Sequence, residues 1–131
     1  MPALAAMLLA GCTSVQASPP IAGTQWRVAA LNGEPIDDPQ ARAVFEPYRM
    51  TISFGCNTGR GPYRVDGERL VPDGSQARTE MACMPVTDGG PDIMAREDRG
   101  FAVASRPMQM SWESASHLIL QNEAGRIDLR R

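Results

Sequence analysis

Four side chains could supply a nucleophile, a soft metal ligand or a redox couple: Cys12, Cys56, Cys83 and the single histidine, His117. A thiol enzyme needs a thiolate held beside a base or a cation. His117 opens a run far along the chain from both Cys56 and Cys83, so nothing local pairs it with either. It reads as an exposed strand-end residue. Zinc is poorly served, because no Cys-x-x-Cys or His-x-x-x-His spacing occurs. The acidic pairs Asp37-Asp38 and Glu97-Asp98 are sequence neighbours, and neighbours do not converge on one point. They read as solvated charges, with Glu97 alternatively paired to an arginine of a sheet. The glycines at 55, 59, 61, 67 and 74 precede no Lys-Ser/Thr pair and no long helix, so they mark turns and bulges rather than a phosphate loop. The expectation is no catalytic residue, no metal and no cofactor.

Cys12 has a different chemistry in view. Ala3 to Ala10 is apolar or small throughout, too short to span a bilayer and of the size of a signal-peptide apolar region. It ends Leu9-Ala10-Gly11-Cys12, the pattern of a bacterial lipobox. Small residues let a peptidase reach the backbone, and the Cys12 thiol takes the lipid. A basic flank is missing at Met1-Pro2, which points to residues lost upstream of the start. Thr13 to Pro20 is small, polar and proline-ended, a flexible tether. The expected organisation is a signal peptide over 1–11, a tether over 12–21 and one domain over 22–131. No aspartate follows the cysteine, and by the usual sorting pattern this favours an outer membrane lipoprotein facing the periplasm.

At 131 residues there is room for one domain with a real core. The basic side chains are thirteen arginines and no lysine, against fifteen acids, for a net charge of −2. Guanidinium binds oxyanions bidentately. In sequence the arginines are dispersed among the acids, so no basic patch emerges and no nucleic-acid partner is expected.

Strand signals dominate the elements that must position these residues. Period-2 spacing puts Trp26, Val28 and Ala30 on one face and Arg27 on the other, before an Asn32-Gly33 turn. Met50, Ile52 and Phe54 alternate likewise, with a shorter strand at Ala43 to Phe45. Gly59 and Gly61 extend an irregular loop after Gly55-Cys56-Asn57. Tyr63 to Val65, Asp66-Gly67, and Arg69 to Val71 form a hairpin signal. Gln76 to Met81 reads as a short strand. Asp92 to Ser105 reads as one amphipathic helix with Asp92 as N-cap, weakened at Gly100. Two or three strands close the chain, from runs around Met108 to Trp112, Leu118 to Leu120 and Ile127 to Leu129. The expectation is an α+β fold: a strongly curved antiparallel sheet or open (cracked) barrel with one helix packed on it. Met94, Met108 and Met110 read as core, or as part of an adaptable apolar groove.

Gly55-Cys56-Asn57, followed by Gly61 and Tyr63, resembles the first half of the signature of META domains, the HslJ-like heat-inducible lipoprotein family. The second half, Thr79-x-Met81-Ala82-Cys83, is also present. Weaker agreement comes from Trp26 before Asn32-Gly33, from Glu97 and Phe101 in the helix, and from the paired C-terminal strands. The chain departs from the usual pattern at Gly59 and Glu80. The resemblance spans about residues 24 to 130. It implies an α+β domain of mainly antiparallel strands, similar to cracked-barrel lipoproteins, in an envelope protein linked to stress, with no shared catalytic residue.

Cys56 and Cys83 form an even pair in an oxidising compartment, which favours a disulfide. Two buried thiols and a functional thiol remain as alternatives. A bridge would close a loop of roughly 27 residues and stabilise by about 3.5 kcal/mol. The functional expectation is a lipid-anchored, non-enzymatic envelope protein that acts by binding, in stress tolerance or envelope maintenance. Its partners would be the membrane, through lipidated Cys12, and an envelope protein or apolar ligand. The alternatives are a periplasmic thiol-dependent or hydrolytic enzyme using Cys56 or Cys83 with His117, and a pilotin-like chaperone that carries an apolar partner.

Overall fold

Period-2 alternation sets the first strand, β1 (Thr24–Leu31), with Thr24, Trp26 and Val28 buried and Gln25 and Arg27 exposed. The computed structural model describes Gly11, residues 20–85 and residues 89–131. Cys12 and nearly all of the tether therefore lie outside the described residues. Asn32 (φ 52°) and Gly33 (φ 81°) both take positive φ, as a two-residue hairpin turn requires. They return the chain into β2 (Glu34–Pro35). Five strands follow: β3 (Ala41–Phe45), β4 (Arg49–Phe54), β5 (Thr58–Asp66), β6 (Arg69–Pro72) and β7 (Ala77–Arg78). Then come helix α1 (Ile93–Ala104) and three strands, β8 (Met108–Ser114), β9 (His117–Asn122) and β10 (Gly125–Arg130).

The hydrogen-bonded order is β10-β9-β8-β6-β5-β4-β3-β1-β2, with β10 also paired to β1. Eight antiparallel strands thus close on themselves, while β2 and β7 are short additions along β1 and β5. The fold is α+β, and the curvature of the sheet runs to full closure. Closure leaves the barrel no open edge. A bulge between Val28 and Ala30 lies where β1 meets β10, and bulges add the twist a closing sheet needs. The thinnest seam is β6 to β8, where only Arg69 faces Gln109 and Leu70 faces Met108.

Inside, the aromatic-poor composition is answered by aliphatics: Leu70, Leu118, Leu120, Ile127 and Leu129 are all fully buried with Met108. Six of the seven aromatics stack in pairs. Trp26 meets Trp112 at 5.6 Å, Phe45 meets Tyr63 at 5.7 Å and Phe54 meets Phe101 at 5.2 Å between centroids. Such pairs contribute roughly 0.5–1.5 kcal/mol each beyond area burial.

The Asp92 carboxylate accepts from the Ala95 N–H at 3.0 Å and starts α1 as expected. The helix lies across the end of the barrel where β4 stops and β10 begins. Gly100 lets it approach: a Cβ there would sit 2.6 Å from the Phe54 ring. Among the described residues no helix is long and apolar enough to cross a membrane.

Three local expectations are corrected. Gly59 and Gly61 are strand residues of β5, not loop. Each is glycine because another side chain lies where its Cβ would be, Phe101 over Gly59 and Gln76 over Gly61. The strand expected over Gln76 to Met81 shrinks to Ala77–Arg78, because Asn57 takes the backbone pairing further on. Met94 is exposed on the outer side of α1, whereas Met108 and Met110 are core.

Candidate functional site

β4 ends in Phe54, and the chain must then turn sharply to enter β5. Gly55 makes the turn at φ 131°, a conformation that disfavours any side chain. Space forbids one as well, since the Arg96 guanidinium and the Asp38 carboxylate cross directly over it. Those two form an ion pair at 3.1 Å that ties α1 to the loop before β3.

The turn leaves the Cys56 and Asn57 N–H groups pointing at α1. Glu97 answers from the helix and is 1% exposed. Its Oε1 accepts from the N–H of Cys56 at 3.2 Å and from the N–H of Asn57, and its Oε2 accepts from Asn57 Nδ2 at 2.9 Å. A buried carboxylate is costly unless hydrogen-bonded, and three N–H donors meet that need. Glu97 is therefore neither solvated nor paired with an arginine.

Asn57, 2% exposed, carries the linkage onward. Its Oδ1 accepts from the Met81 N–H at 2.7 Å and from Thr79 Oγ1 at 3.0 Å. Its Nδ2 donates to the Met81 carbonyl at 2.9 Å. The side-chain amide thus imitates a peptide group of a neighbouring strand. Thr79 Oγ1 also accepts from the Thr58 N–H at 3.0 Å, continuing the pairing. Met81 is held by its backbone alone, and its side chain is 58% exposed. A Cys56–Cys83 disulfide, with Cα atoms 6.3 Å apart, closes the same contact covalently.

The residues singled out in sequence thus divide. Gly55, Cys56, Asn57, Thr79, Met81 and Cys83 come together with Glu97 in one clasp between α1, the start of β5 and the arm after β7. Gly61 and Tyr63 do not join it. Gly61 makes room for Gln76, whose Nε2 donates to the Pro62 carbonyl at 3.0 Å. Tyr63 is a wall residue whose hydroxyl donates to the Glu46 carbonyl, and burial pushes its pKa up. Nothing local in the sequence separates buried Glu97 from its exposed neighbour Asp98.

His117 stands at the start of β9, as expected, but it is not a free exposed residue. Its Nε2 is hydrogen-bonded to Asp128 Oδ1 at 2.9 Å, and Arg126 grips both oxygens of Asp128 at 3.0 Å. Burial pushes the Asp128 carboxyl up. The hydrogen bonds from Arg126 and His117, with the positive charge beside it, outweigh this and hold it below its ordinary value.

Next to the clasp a cleft of 390 Å³ opens between α1 and β5, floored by Met50, Ile52, Gly59 and Phe101 and rimmed by Arg78 and Asp98. The Arg78 guanidinium lies 4.7 Å over the Phe101 ring and 3.6 Å from the Asp98 carboxylate. Among the described residues no group of three or more His, Cys, Asp or Glu could hold a metal ion.

The family model described as META domain matches residues 19–130. No curated protein matches by sequence. One solved structure that is similar, a protein determined by NMR, is 17% identical with a TM-score of 0.66, over 82% of this chain and 88% of its own. A protein from Burkholderia xenovorans, also determined by NMR, is 17% identical with a TM-score of 0.58, over 92% of this chain and 97% of its own. At that identity the likeness speaks for the fold alone.

Proposed function

The chain belongs to the META domain family, and from that premise we propose that it is a lipid-anchored, non-enzymatic binding module of the bacterial envelope. Cys12 carries the anchor, on the outer membrane and facing the periplasm, and the domain serves stress tolerance by holding a partner. One observation carries the reading. The polar groups of the signature are spent on one another: Asn57, Thr79 and Glu97 are joined by hydrogen bonds and both cysteines by a disulfide. A reactive centre needs an unspent nucleophile within reach of a base. His117, the base a thiol enzyme would use, is bonded to Asp128 instead.

What the clasp achieves is placement. It fixes α1 against β5 and so holds open the cleft over Phe101. An apolar floor edged by one acid, Asp98, and two guanidinium groups, Arg60 and Arg78, suits an apolar segment of an envelope protein, with a few directed polar contacts. The disulfide fits an oxidising compartment, and Leu9-Ala10-Gly11-Cys12 supplies the route to it. Fractionation tests the anchor: the unaltered chain is expected with outer membranes and Cys12→Ser in the soluble periplasm. An unaltered chain found in the soluble periplasm, or one that carries no acyl group on Cys12, would remove lipid anchoring from the account.

A further inference from the structure

The barrel register does something to the arginines that their sequence positions conceal. Arg27 on β1 stands directly opposite Arg42 on β3 and directly opposite Arg130 on β10. Three guanidinium-bearing positions therefore lie in one row across three adjacent strands, within about 10 Å from first to last. All three are exposed on the outer wall. Arg131 follows at once, its guanidinium 4.6 Å over the Trp26 ring and its Nε donating to the Ala115 carbonyl at 2.8 Å. The expectation of dispersed arginines without a basic patch is corrected here, because strand closure gathers four of them.

Like charges placed directly opposite are destabilising. A row of three needs compensation, and five of the nine arginines elsewhere in the chain have it. Arg64, Arg78, Arg96, Arg106 and Arg126 each have a carboxylate within 4.0 Å. Among the described residues Arg27, Arg42, Arg130 and Arg131 have none. They line a cleft of 510 Å³ with Gln25 and Trp26, and no Asp or Glu side chain lines it. The nearest acid on β10, Asp128, is engaged by Arg126 and His117. The concentration is local, since the whole chain carries a net charge of −2.

Guanidinium groups bind phosphate oxygens bidentately, and adjacent ones can share a single multi-oxygen anion. We propose that the Arg27–Arg42–Arg130–Arg131 cleft binds a phosphate-bearing anion. A free phosphate compound and the headgroup of an anionic phospholipid present the same chemistry. The cleft shares no lining residue with the clasp, and the proposal stands or falls separately from the function proposed above.

The test uses the full chain carrying Cys12→Ser, so that no acyl chain contributes. Inorganic pyrophosphate is titrated at constant ionic strength while Tm is followed. Cosedimentation with phosphatidylglycerol vesicles is compared with phosphatidylcholine vesicles. Saturating pyrophosphate is expected to raise Tm by about 5 °C, as a ligand present at many times its Kd does. Arg27→Gln, at the centre of the row, is expected to remove most of that shift and to raise Tm without ligand by about 1–2 °C. Arg130→Gln repeats the test should Arg27→Gln fail to fold, and Arg64→Gln is the control that keeps the full shift. Phosphatidylglycerol binding lost in Arg27→Gln, without a pyrophosphate effect, assigns the anion to a lipid headgroup. A pyrophosphate shift without vesicle binding assigns it to a free compound. No effect of either probe, or an equal effect on Arg27→Gln and the unaltered site, overturns the proposal.

Discussion

At the scale of single residues the protein depends on one amide and one carboxylate. Asn57 satisfies the Met81 backbone, the Thr79 hydroxyl and one oxygen of Glu97 at the same time. Asn57→Ala would strand buried groups on both sides, each costing about 1–3 kcal/mol. The expected loss is about 3 kcal/mol in urea denaturation, far beyond the cost of an ordinary polar truncation. Asp128 gives a prediction with a pH signature. Its carboxyl is held below the ordinary 3.8 in the folded state. The unfolded chain therefore takes up the proton first as pH falls. The stabilisation is complete above about pH 4 and is lost as pH drops through the folded value. The stability gap between the unaltered protein and Asp128→Asn should narrow below that pH; a gap constant from pH 7 to pH 2 would contradict the assignment. Of this scale the sequence disclosed the types but not the partners. Asn57, Thr79 and Met81 stand out by spacing and resemblance. Glu97 stands beside an exposed Asp98, and only the angle of α1 on the barrel decides which of the two is buried.

At the scale of elements, glycines record contacts. Alanine at Gly100 should favour an isolated helix by about 1 kcal/mol. Here its Cβ would meet the Phe54 ring at 2.6 Å, and overpacking costs about 1–3 kcal/mol. Gly100→Ala is therefore expected to lower stability by about 1 kcal/mol or more despite its better propensity, measured by thermal or urea unfolding. A stabilised variant would mean that the helix does not press on β4 there. The same logic explains the misread stretch at Gly59 and Gly61. Glycine inside a strand marks a close approach, and what approaches, Phe101 or Gln76, comes from elsewhere in the chain. Alternating strands and the Asp92 cap were legible because each is a local pattern. The brief pairing of β6 with β8 and the closure of β1 on β10 were not, since they depend on strands distant in sequence.

At the scale of the whole molecule, closure determines what is offered to the outside. It places the clasp and its apolar cleft beside α1, and the arginine row on the wall made by β3, β1 and β10. Curvature could be expected from many short strands and one helix. The row could not, because register across a closing seam decides it. The disulfide acts at this scale too, joining the start of β5 to the arm that follows β7. Replacing both cysteines, Cys56→Ala with Cys83→Ala, should cost up to about 3.5 kcal/mol and should loosen the Thr79 to Cys83 arm in amide hydrogen exchange.

The central claim is that the cysteine-bearing signature fastens a scaffold and performs no chemistry of its own. Counting free thiols on the full chain carrying Cys12→Ser, exported to the periplasm and labelled at neutral pH with and without reductant, tests it most directly. The account predicts that Cys56 and Cys83 take up label only after reduction. Rapid labelling of either cysteine without reductant would contradict it and turn attention to a reactive thiol at the start of β5.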